Sequence, residues 1–182
     1  MQGFRHGQGE MTWPDGARYV GEWRWGQATC KGKFTYPNGD VYDGSWANNT
    51  MTGFGTYLHA SGTVYKGLWL YGLQHGTGHE TWTDGSEYVG QYVFGKKMGK
   101  GVYTWADGTK YYGEWKNNKI DGVGIHEWKD GRSYTGEWKE GVMHGYGSYV
   151  WSDKKAYEGQ YVDDKKSGFG IYRWPDGRIY KG

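Results

Sequence analysis

Aromatic, glycine and polar positions recur along the chain with a fixed period. A tyrosine stands every 23 residues from Tyr19 to Tyr180, and a glycine follows each one two positions later. An aromatic residue stands four positions after the tyrosine in every repeat up to the one that begins at Tyr157. Residues two apart point to the same face of a strand, so rings and glycines share one face. The pattern therefore predicts a β-strand at the start of each repeat.

The second half of each repeat predicts a second strand. Counted from the tyrosine as zero, glycines usually stand at positions 11 and 13 and tryptophan at position 17, as in Gly122, Gly124 and Trp128. A polar loop such as 116–119 separates the two strands. Asp-Gly, Asn-Gly or Ser-Gly usually follows the second strand, which is a strong hairpin signal because glycine accepts a positive φ. Each repeat is thus predicted to be a β-hairpin.

Consecutive hairpins are expected to pair into an all-β, elongated, single-layer antiparallel meander. A ring from a neighbouring strand can cover a bare glycine, so both glycines of the Gly-x-Gly pair are expected to pack under rings. The opposite face carries residues such as Glu22 and Glu114 and is expected to be solvated. Sixteen strands about 4.8 Å apart would extend roughly 75 Å.

The repeats extend over the whole chain, so we expect one continuous array over 1–182 without a linker or second domain. The expected units are a part-repeat at 1–18, full repeats that begin at 19, 42, 65, 88, 111, 134 and 157, and a part-repeat at 180–182.

Composition excludes several other classes of protein. The 182 residues include 35 Gly, 12 Trp and 18 Tyr. The glycines lack the period of collagen, and the aromatic content is too high for a disordered chain. No stretch approaches the roughly 18 apolar residues of a membrane span. The lone Cys30 excludes an internal disulfide framework and fits a reducing compartment.

Charge is unevenly distributed but weak. Residues 1–91 carry 6 Lys/Arg against 8 Asp/Glu, whereas residues 92–182 carry 16 against 12. This basic excess is too small to argue for nucleic-acid binding. Aromatic residues beside lysines could stack on single strands, but here the rings fall on the packing face. We therefore expect no nucleic-acid partner.

The order Tyr-x-Gly-x-Trp, polar loop, Gly-x-Gly-x-Tyr-x-Trp and Asp-Gly resembles the MORN (membrane occupation and recognition nexus) repeat, with close copies at 111–124 and 134–147. The resemblance implies an elongated, single-layer antiparallel β-structure that is not catalytic. It also implies a scaffold or binding module, in many members at cytoskeletal or membrane-adjacent structures such as cilia, basal bodies and junctions. Phosphoinositide binding has been proposed for some members.

Five residues depart from the pattern. Cys30 replaces a glycine, His59 replaces the tryptophan of position 17, Glu80 and His126 replace a ring at position 15, and Lys154 replaces a turn glycine. These departures mark either bends and partner contacts or ordinary drift between repeats.

The histidine spacing argues against a metal centre. His6, His75 and His144 share position 10 but are 69 residues apart. Six strands separate neighbours in this column by roughly 29 Å, whereas zinc binds nitrogen at about 2 Å. His75 and His79 would lie about 13 Å apart along one strand. The alternative is a metal site between molecules, which could include Cys30.

Enzyme chemistry is not expected either. Gly-x-Gly, as in residues 99–101, never opens a helix and so cannot form the phosphate cradle of a dinucleotide site. We expect no catalytic residue, no metal and no cofactor.

Rings occupy the loop between the two strands in three early repeats. Trp25, Tyr71 and Phe94 stand where later repeats have Asn, Glu or Asp, and Leu70 and Val93 lie beside them. An exposed apolar patch indicates an interaction surface, so these are the protein-interface candidates. The alternative is that the loops fold back onto the sheet.

Lysines form a second candidate surface on the same edge, which we expect to be the long-loop edge. The lipid or acidic-partner candidates are Lys96, Lys97, Lys119, Lys165 and Lys166. Each lysine near an anionic membrane adds about 1 kcal/mol. Interspersed Glu140, Asp163 and Asp164 weaken this field, and a simply solvated edge is the alternative.

These features predict a non-catalytic protein-binding scaffold or spacer in a cytoskeletal assembly, such as a cilium or flagellum axoneme or a membrane–cytoskeleton junction. The expected location is the cytoplasm, and the expected partners are cytoskeletal proteins. The alternative is a phosphoinositide or anionic-membrane module that uses the lysine edge. Terminal strands would present open sheet edges, so we expect self-association through the ends or the aromatic edge, or a longer repeat array that includes this segment.

Overall fold

The computed structural model describes residues 3–182, which form sixteen β-strands and no helix. The strands belong to one antiparallel sheet in which their order follows the sequence. The predicted all-β meander of tandem hairpins is confirmed. Over residues 3–182, no helix has the length and apolar character needed to cross a membrane.

The strands alternate between short and long. Their bounds are β1 Gly7–Thr12, β2 Arg18–Arg24, β3 Gln27–Thr35, β4 Val41–Ala47, β5 Thr50–Leu58, β6 Val64–Leu70, β7 Leu73–Thr81, β8 Glu87–Val93, β9 Lys96–Thr104, β10 Lys110–Lys116, β11 Lys119–Glu127, β12 Ser133–Lys139, β13 Val142–Val150, β14 Ala156–Val162, β15 Lys165–Arg173 and β16 Ile179–Lys181.

The chain divides into two compact units. The first holds β1 to β7 together with Gln91–Gly95, and the second holds Ser86–Gly90 together with β9 to β16. Both units contain the same repeating core.

Each repeat packs its tyrosine over two glycines. In the second unit, Tyr134 is fully buried, and a Cβ atom added to Gly136 would lie 2.6 Å from the Gly147 Cα atom and 2.7 Å from the tyrosine hydroxyl. Both positions therefore require glycine because the ring leaves no space for a side chain. The hydroxyl donates a hydrogen bond of 3.0 Å to the Glu137 carbonyl, so the buried polar group is satisfied.

The ring of position 4 joins one repeat to the next. In the first unit, the Trp46 ring meets Tyr42 and Tyr19 edge to face, at centroid distances of 5.1 and 5.4 Å. Its indole N–H donates to the Gly32 carbonyl at 2.8 Å. Edge-to-face pairs add stability beyond the area they bury. The core is thus a row of alternating rings that crosses from hairpin to hairpin.

The first glycine of Gly-x-Gly differs from expectation. Gly113 pairs with Gly124 across β10 and β11, but Trp115 pairs with Ile120, so two extra residues of β11 form a β-bulge. Gly122 lies in this bulge with a φ of +110°. The expectation that both glycines pack under rings was therefore wrong for position 11, which needs glycine for its backbone conformation.

The longer connection lies at the Asp-Gly end of each hairpin. Between β11 and β12, the Trp128 N–H donates to the Arg132 carbonyl at 2.9 Å, and the Asp130 carboxylate accepts the Arg132 N–H at 3.2 Å. Gly131 has a φ of +85°. Lys154 takes the equivalent place with a φ of +69°, which an L-residue adopts at a cost.

Candidate functional site

The candidate interface residues lie at two-residue turns, not in long loops. β2 ends at Arg24 and β3 begins at Gln27, and β6 ends at Leu70 and β7 begins at Leu73. The predicted four-residue loop at 116–119 is likewise a turn of two residues between strands. The prediction of a long-loop edge was wrong because backbone pairing continues to the last residue before each turn.

Three of these turns carry a ring in a conformation that rings rarely adopt. Trp25, Tyr71 and Phe94 have φ values of 51°, 51° and 45°, and the glycine after each also has a positive φ. Two successive positive φ values define the type I′ turn, whose preferred residues are Asn, Asp and Gly. A side chain in this region costs roughly 1–2 kcal/mol. Rings therefore occupy these turns against the local backbone preference.

The three rings extend into solvent. The exposed fractions are 70% for Trp25, 77% for Tyr71 and 52% for Phe94. Phe4 and His6 contact the edge of Trp25 at centroid distances of 6.5 and 5.8 Å. Packing by neighbouring side chains thus covers only part of this apolar surface.

Hydrogen bonds hold the turns in place. The Gly72 N–H donates to the Met51 carbonyl at 3.0 Å, and the Gly95 N–H donates to the Gln74 carbonyl at 2.8 Å. Each bond joins a turn to the long strand of the preceding hairpin. The rings are therefore presented by an ordered backbone.

Exposed apolar residues extend the patch around Tyr71 and Phe94. Val93 is exposed and Leu70 is half-buried at the strand ends beside the turns, and Leu73 is exposed as the first residue of β7. Leu73 does not stand out in the sequence because it is at position 8, where several other repeats have a polar residue.

The five candidate lysines do not form one cluster. Lys97 and Lys166 stand at position 9, on the ring-bearing face, with ammonium groups 5.0 Å from the Tyr88 centroid and 4.7 Å from the Trp151 centroid. At position 8, on the opposite face, Lys119 pairs with Glu140 at 3.5 Å. Neighbouring residues on one strand point to opposite faces, so the lysine pairs are divided between the two faces.

The remaining lysines, Lys96 and Lys165, are exposed at the first residues of β9 and β15. Six strand spacings separate Lys96 from Lys165, which corresponds to roughly 29 Å at about 4.8 Å per strand.

Aromatic residues of positions 15 and 17 form a second ring-bearing surface beside the buried tyrosines. Sequence reasoning assigned these rings to the core, but most are only half-buried: Phe34, Tyr36 and Tyr57 in the first unit, and Tyr103, Trp105, Trp128, Tyr149, Trp151, Tyr172 and Trp174 in the second. The position-0 tyrosines from Tyr19 to Tyr157 are buried, whereas these rings, which lie nearer the Asp-Gly turns, are more exposed.

The face expected to be solvated also carries apolar side chains. Phe54 and Leu68 are exposed there in the first unit, and Val123, Tyr146 and Phe169 are exposed in the second. The expected polar face is therefore mixed, because position 12 holds Lys or Thr in three repeats and Phe, Val or Tyr in four.

Two departures from the repeat compensate each other. Glu80 takes a ring position, and Tyr92 takes a position where most repeats have tryptophan. The Tyr92 hydroxyl donates to the Glu80 carboxylate at 2.9 Å. The polar residue is thus accommodated by a hydrogen-bonding ring.

No group of three or more His, Cys, Asp or Glu residues within 3–182 is placed to hold a metal ion. Cys30 is exposed in the bulge of β3 with a φ of +54°.

A family model of the MORN repeat matches eight consecutive segments: 1–18, 19–41, 42–64, 65–87, 88–110, 111–131, 134–155 and 157–177. No curated protein matches the chain. The chain is also similar to several solved structures at low sequence identity.

The TCP domain of Drosophila melanogaster SAS-4, solved with a proline-rich motif of dSTIL, has a TM-score of 0.53 and 11% identity over 96% of this chain and 88% of that one. The G-box domain of the microcephaly protein CPAP has a TM-score of 0.49 and 14% identity, with coverage of 97% and 98%. The Danio rerio CPAP TCP10 domain with a STIL peptide has a TM-score of 0.36 and 14% identity, with coverage of 94% and 86%. The likeness to the first concerns the fold alone.

Proposed function

Because the chain belongs to the MORN-repeat family, we propose that it is a non-catalytic scaffold that binds other proteins through the ring-bearing turns of its first unit. This family consists of repeat scaffolds that bind proteins or membranes and is not a family of enzymes. The binding surface comprises Trp25, Tyr71 and Phe94 with their neighbours Leu70 and Val93.

The observation that carries this proposal is the combination of strain and exposure at the three turns. A ring at positive φ costs stability, and a ring in water gains little from burial. Residues held in rare backbone conformations concentrate at functional sites. A protein partner that covers the rings would recover the burial energy that folding leaves unused.

The proposed setting is a cytoskeletal assembly in the cytoplasm, such as an axoneme or a membrane–cytoskeleton junction. Membership of the MORN-repeat family supports this setting. The similar Drosophila SAS-4 domain was solved with a proline-rich motif of another protein, so a sheet of this kind can bind a segment of a partner. Self-association of the chain through the ring-bearing turns is also part of the proposal.

A triple substitution tests the surface. Trp25, Tyr71 and Phe94 are changed together to Asn, which already takes this turn position at Asn48 and Asn117 with φ values of 47° and 50°. We expect unchanged or higher thermal stability, because Asn suits the turn. Cross-linking mass spectrometry after affinity purification should show the loss of partners that the unchanged chain retains.

The matched control changes Glu140 and Asp163 to Asn at the same turn position in the second unit, where φ is 50° and 48°. This variant should keep its partners. Equal partner sets for the triple variant and the control would contradict the proposal. Flotation with phosphoinositide-containing vesicles at physiological salt tests the membrane alternative. The division of the lysines between the two faces of the sheet argues against that alternative.

A further inference from the structure

Position 9 of the repeat places a side chain on the ring-bearing face, beside the aromatic core. In the last full repeat, the Lys166 ammonium lies 4.7 Å from the Trp151 centroid, 5.2 Å from Tyr157 and 5.4 Å from Tyr172. Long side chains take the same place in the other repeats from residue 42 onward: Met51, Gln74, Lys97, Ile120 and Met143.

The repeat that begins at Tyr19 has Ala28 at this place, and a cavity of about 260 Å³ lies beside it. Trp13, Tyr19 and Phe34 line the cavity. They have the same repeat positions as the three rings around Lys166. The remaining walls are Arg5, Trp23, Gly26, Trp46 and Asn49. The next repeat has Met51 at the place of Ala28, and a cavity of about 400 Å³ remains beside that methionine. The Ala28 pocket differs from it in having no long side chain at position 9.

Arg5 gives the edge of the pocket a positive charge. Its guanidinium lies 4.5 Å from the Trp23 centroid and donates to the Gly26 carbonyl at 3.3 Å. A guanidinium has five N–H donors, so donors remain for a carboxylate of another molecule. Gly26 belongs to the turn that presents Trp25, and the pocket therefore adjoins one of the proposed binding turns.

We propose that the Ala28 pocket binds one long, unbranched, uncharged side chain of a partner protein, with methionine as the best fit, and that an acidic residue beside it pairs with Arg5. This inference rests on the proposed protein-binding function. Met51 and Met143 show that a thioether fits the equivalent space, and sulfur contacts aromatic rings favourably. Arg5 disfavours a lysine by like charge and favours a carboxylate through a charge-assisted hydrogen bond.

The Ala28 pocket is small. Sites for drug-sized molecules span about 300–1,000 Å³, and the Ala28 pocket is smaller than this range. Its ring-lined walls provide apolar contact for the anchor, and the exposed Trp25 beside it provides further surface for the adjoining residues of the partner.

A peptide titration of the full chain, followed by NMR of the tryptophan indole N–H groups, tests the assignment. The probe is acetyl-Gly-Met-Asp-Gly-amide, with versions that replace Met by Ala, Met by Lys or Asp by Asn. We expect shifts at Trp13 and Trp46 with the first peptide. The Ala version should bind roughly tenfold more weakly, from the lost burial of one methionine. The Lys and Asn versions should also bind more weakly.

Three variants make the result specific. Ala28→Met places a long side chain in the pocket, as Met51 does in the next repeat, so it should weaken the shifts while thermal melting stays equal or rises. Arg5→Gln should remove the preference for Asp over Asn. Lys166→Ala opens the equivalent space and should add peptide-dependent shifts at Trp151.

Tighter binding of the Lys version, or unchanged binding to Ala28→Met, would overturn the pocket assignment. The partner experiment separates this failure from that of the proposed function. If Ala28→Met keeps every cross-linked partner and the turn variant loses them, the scaffold function stands and the pocket proposal fails.

Discussion

His126 introduces a titratable ring into a core built of tyrosine and tryptophan. It is 8% exposed, and its ring lies 4.2 Å from Trp128 and 5.0 Å from Trp105 between centroids. Burial lowers the pKa of His126, while Asp107 raises it and Arg132 lowers it further. The folded protein therefore holds His126 as the neutral ring near neutral pH.

This depressed pKa predicts a loss of stability in mild acid. The unfolded chain takes up the His126 proton near pH 6.5 and the folded chain takes it up at lower pH, so folding is disfavoured as pH falls below about 6.5. The melting temperature should drop between pH 7.5 and pH 5. His126→Tyr, which restores the common ring at this position, should show a smaller drop. An equal drop in both proteins would assign the effect to other groups.

The window from pH 7.5 to pH 5 separates His126 from the turn carboxylates. The side chain and the N–H of Arg132 lower the pKa of Asp130, and the N–H of Arg178 lowers that of Asp176. The stability from these groups is present above the usual Asp pKa of about 4 and is lost only below it.

Within each hairpin, the bulge and the two-residue turn set the register of the strands. The bulge residue has a positive φ in every long strand from β3 to β15, and it is glycine in all of them except β3, where Cys30 has a φ of +54°. Glycine adopts this conformation freely, whereas a residue with a Cβ atom does so at a cost. The hairpin of β2 and β3 is thus strained at its bulge.

Cys30→Gly should therefore stabilise the protein by about 1 kcal/mol, which is the typical penalty for a side chain in the left-handed region. Denaturant unfolding measures the change. The reverse substitution, Gly53→Cys at the same position of the next repeat, serves as the control and should destabilise by a similar amount. A loss of stability in Cys30→Gly would show that the thiol contributes more than its backbone strain costs.

Over the whole molecule, the repeated core is uniform but the turns differ between the two units. Rings occupy the first turn position at Trp25, Tyr71 and Phe94 in the first unit, whereas the second unit has Asn117, Glu140 and Asp163. The core positions of both units are filled by the same tyrosines and glycines. The difference in the turns, and not in the core, distinguishes the proposed binding surface.

The sequence was sufficient to predict the hairpin meander, because the spacing of tyrosine and glycine has one structural meaning in a strand. It could not distinguish the two glycines of Gly-x-Gly, since a bulged and a packed glycine have the same parity. The sequence pattern also did not separate Lys97 and Lys166 from the other candidate lysines. Which face of the sheet a lysine side chain points to depends on the residue at which the turn ends and the strand begins. The Ala28 pocket was also missed, because its walls come from neighbouring strands and become visible only when the rings are placed.

The most direct test of the account is site-specific photo-cross-linking in cells that contain the full chain. A photoreactive phenylalanine analogue replaces Tyr71 in one protein and Glu140, which has the same turn position in the second unit, in another. We predict protein cross-links from position 71 that fall when Trp25 and Phe94 are changed to Asn, and few from position 140. Equal cross-linking from both positions, or cross-linking from 71 that ignores the Asn substitutions, would contradict the claim that the ring-bearing turns bind a protein partner.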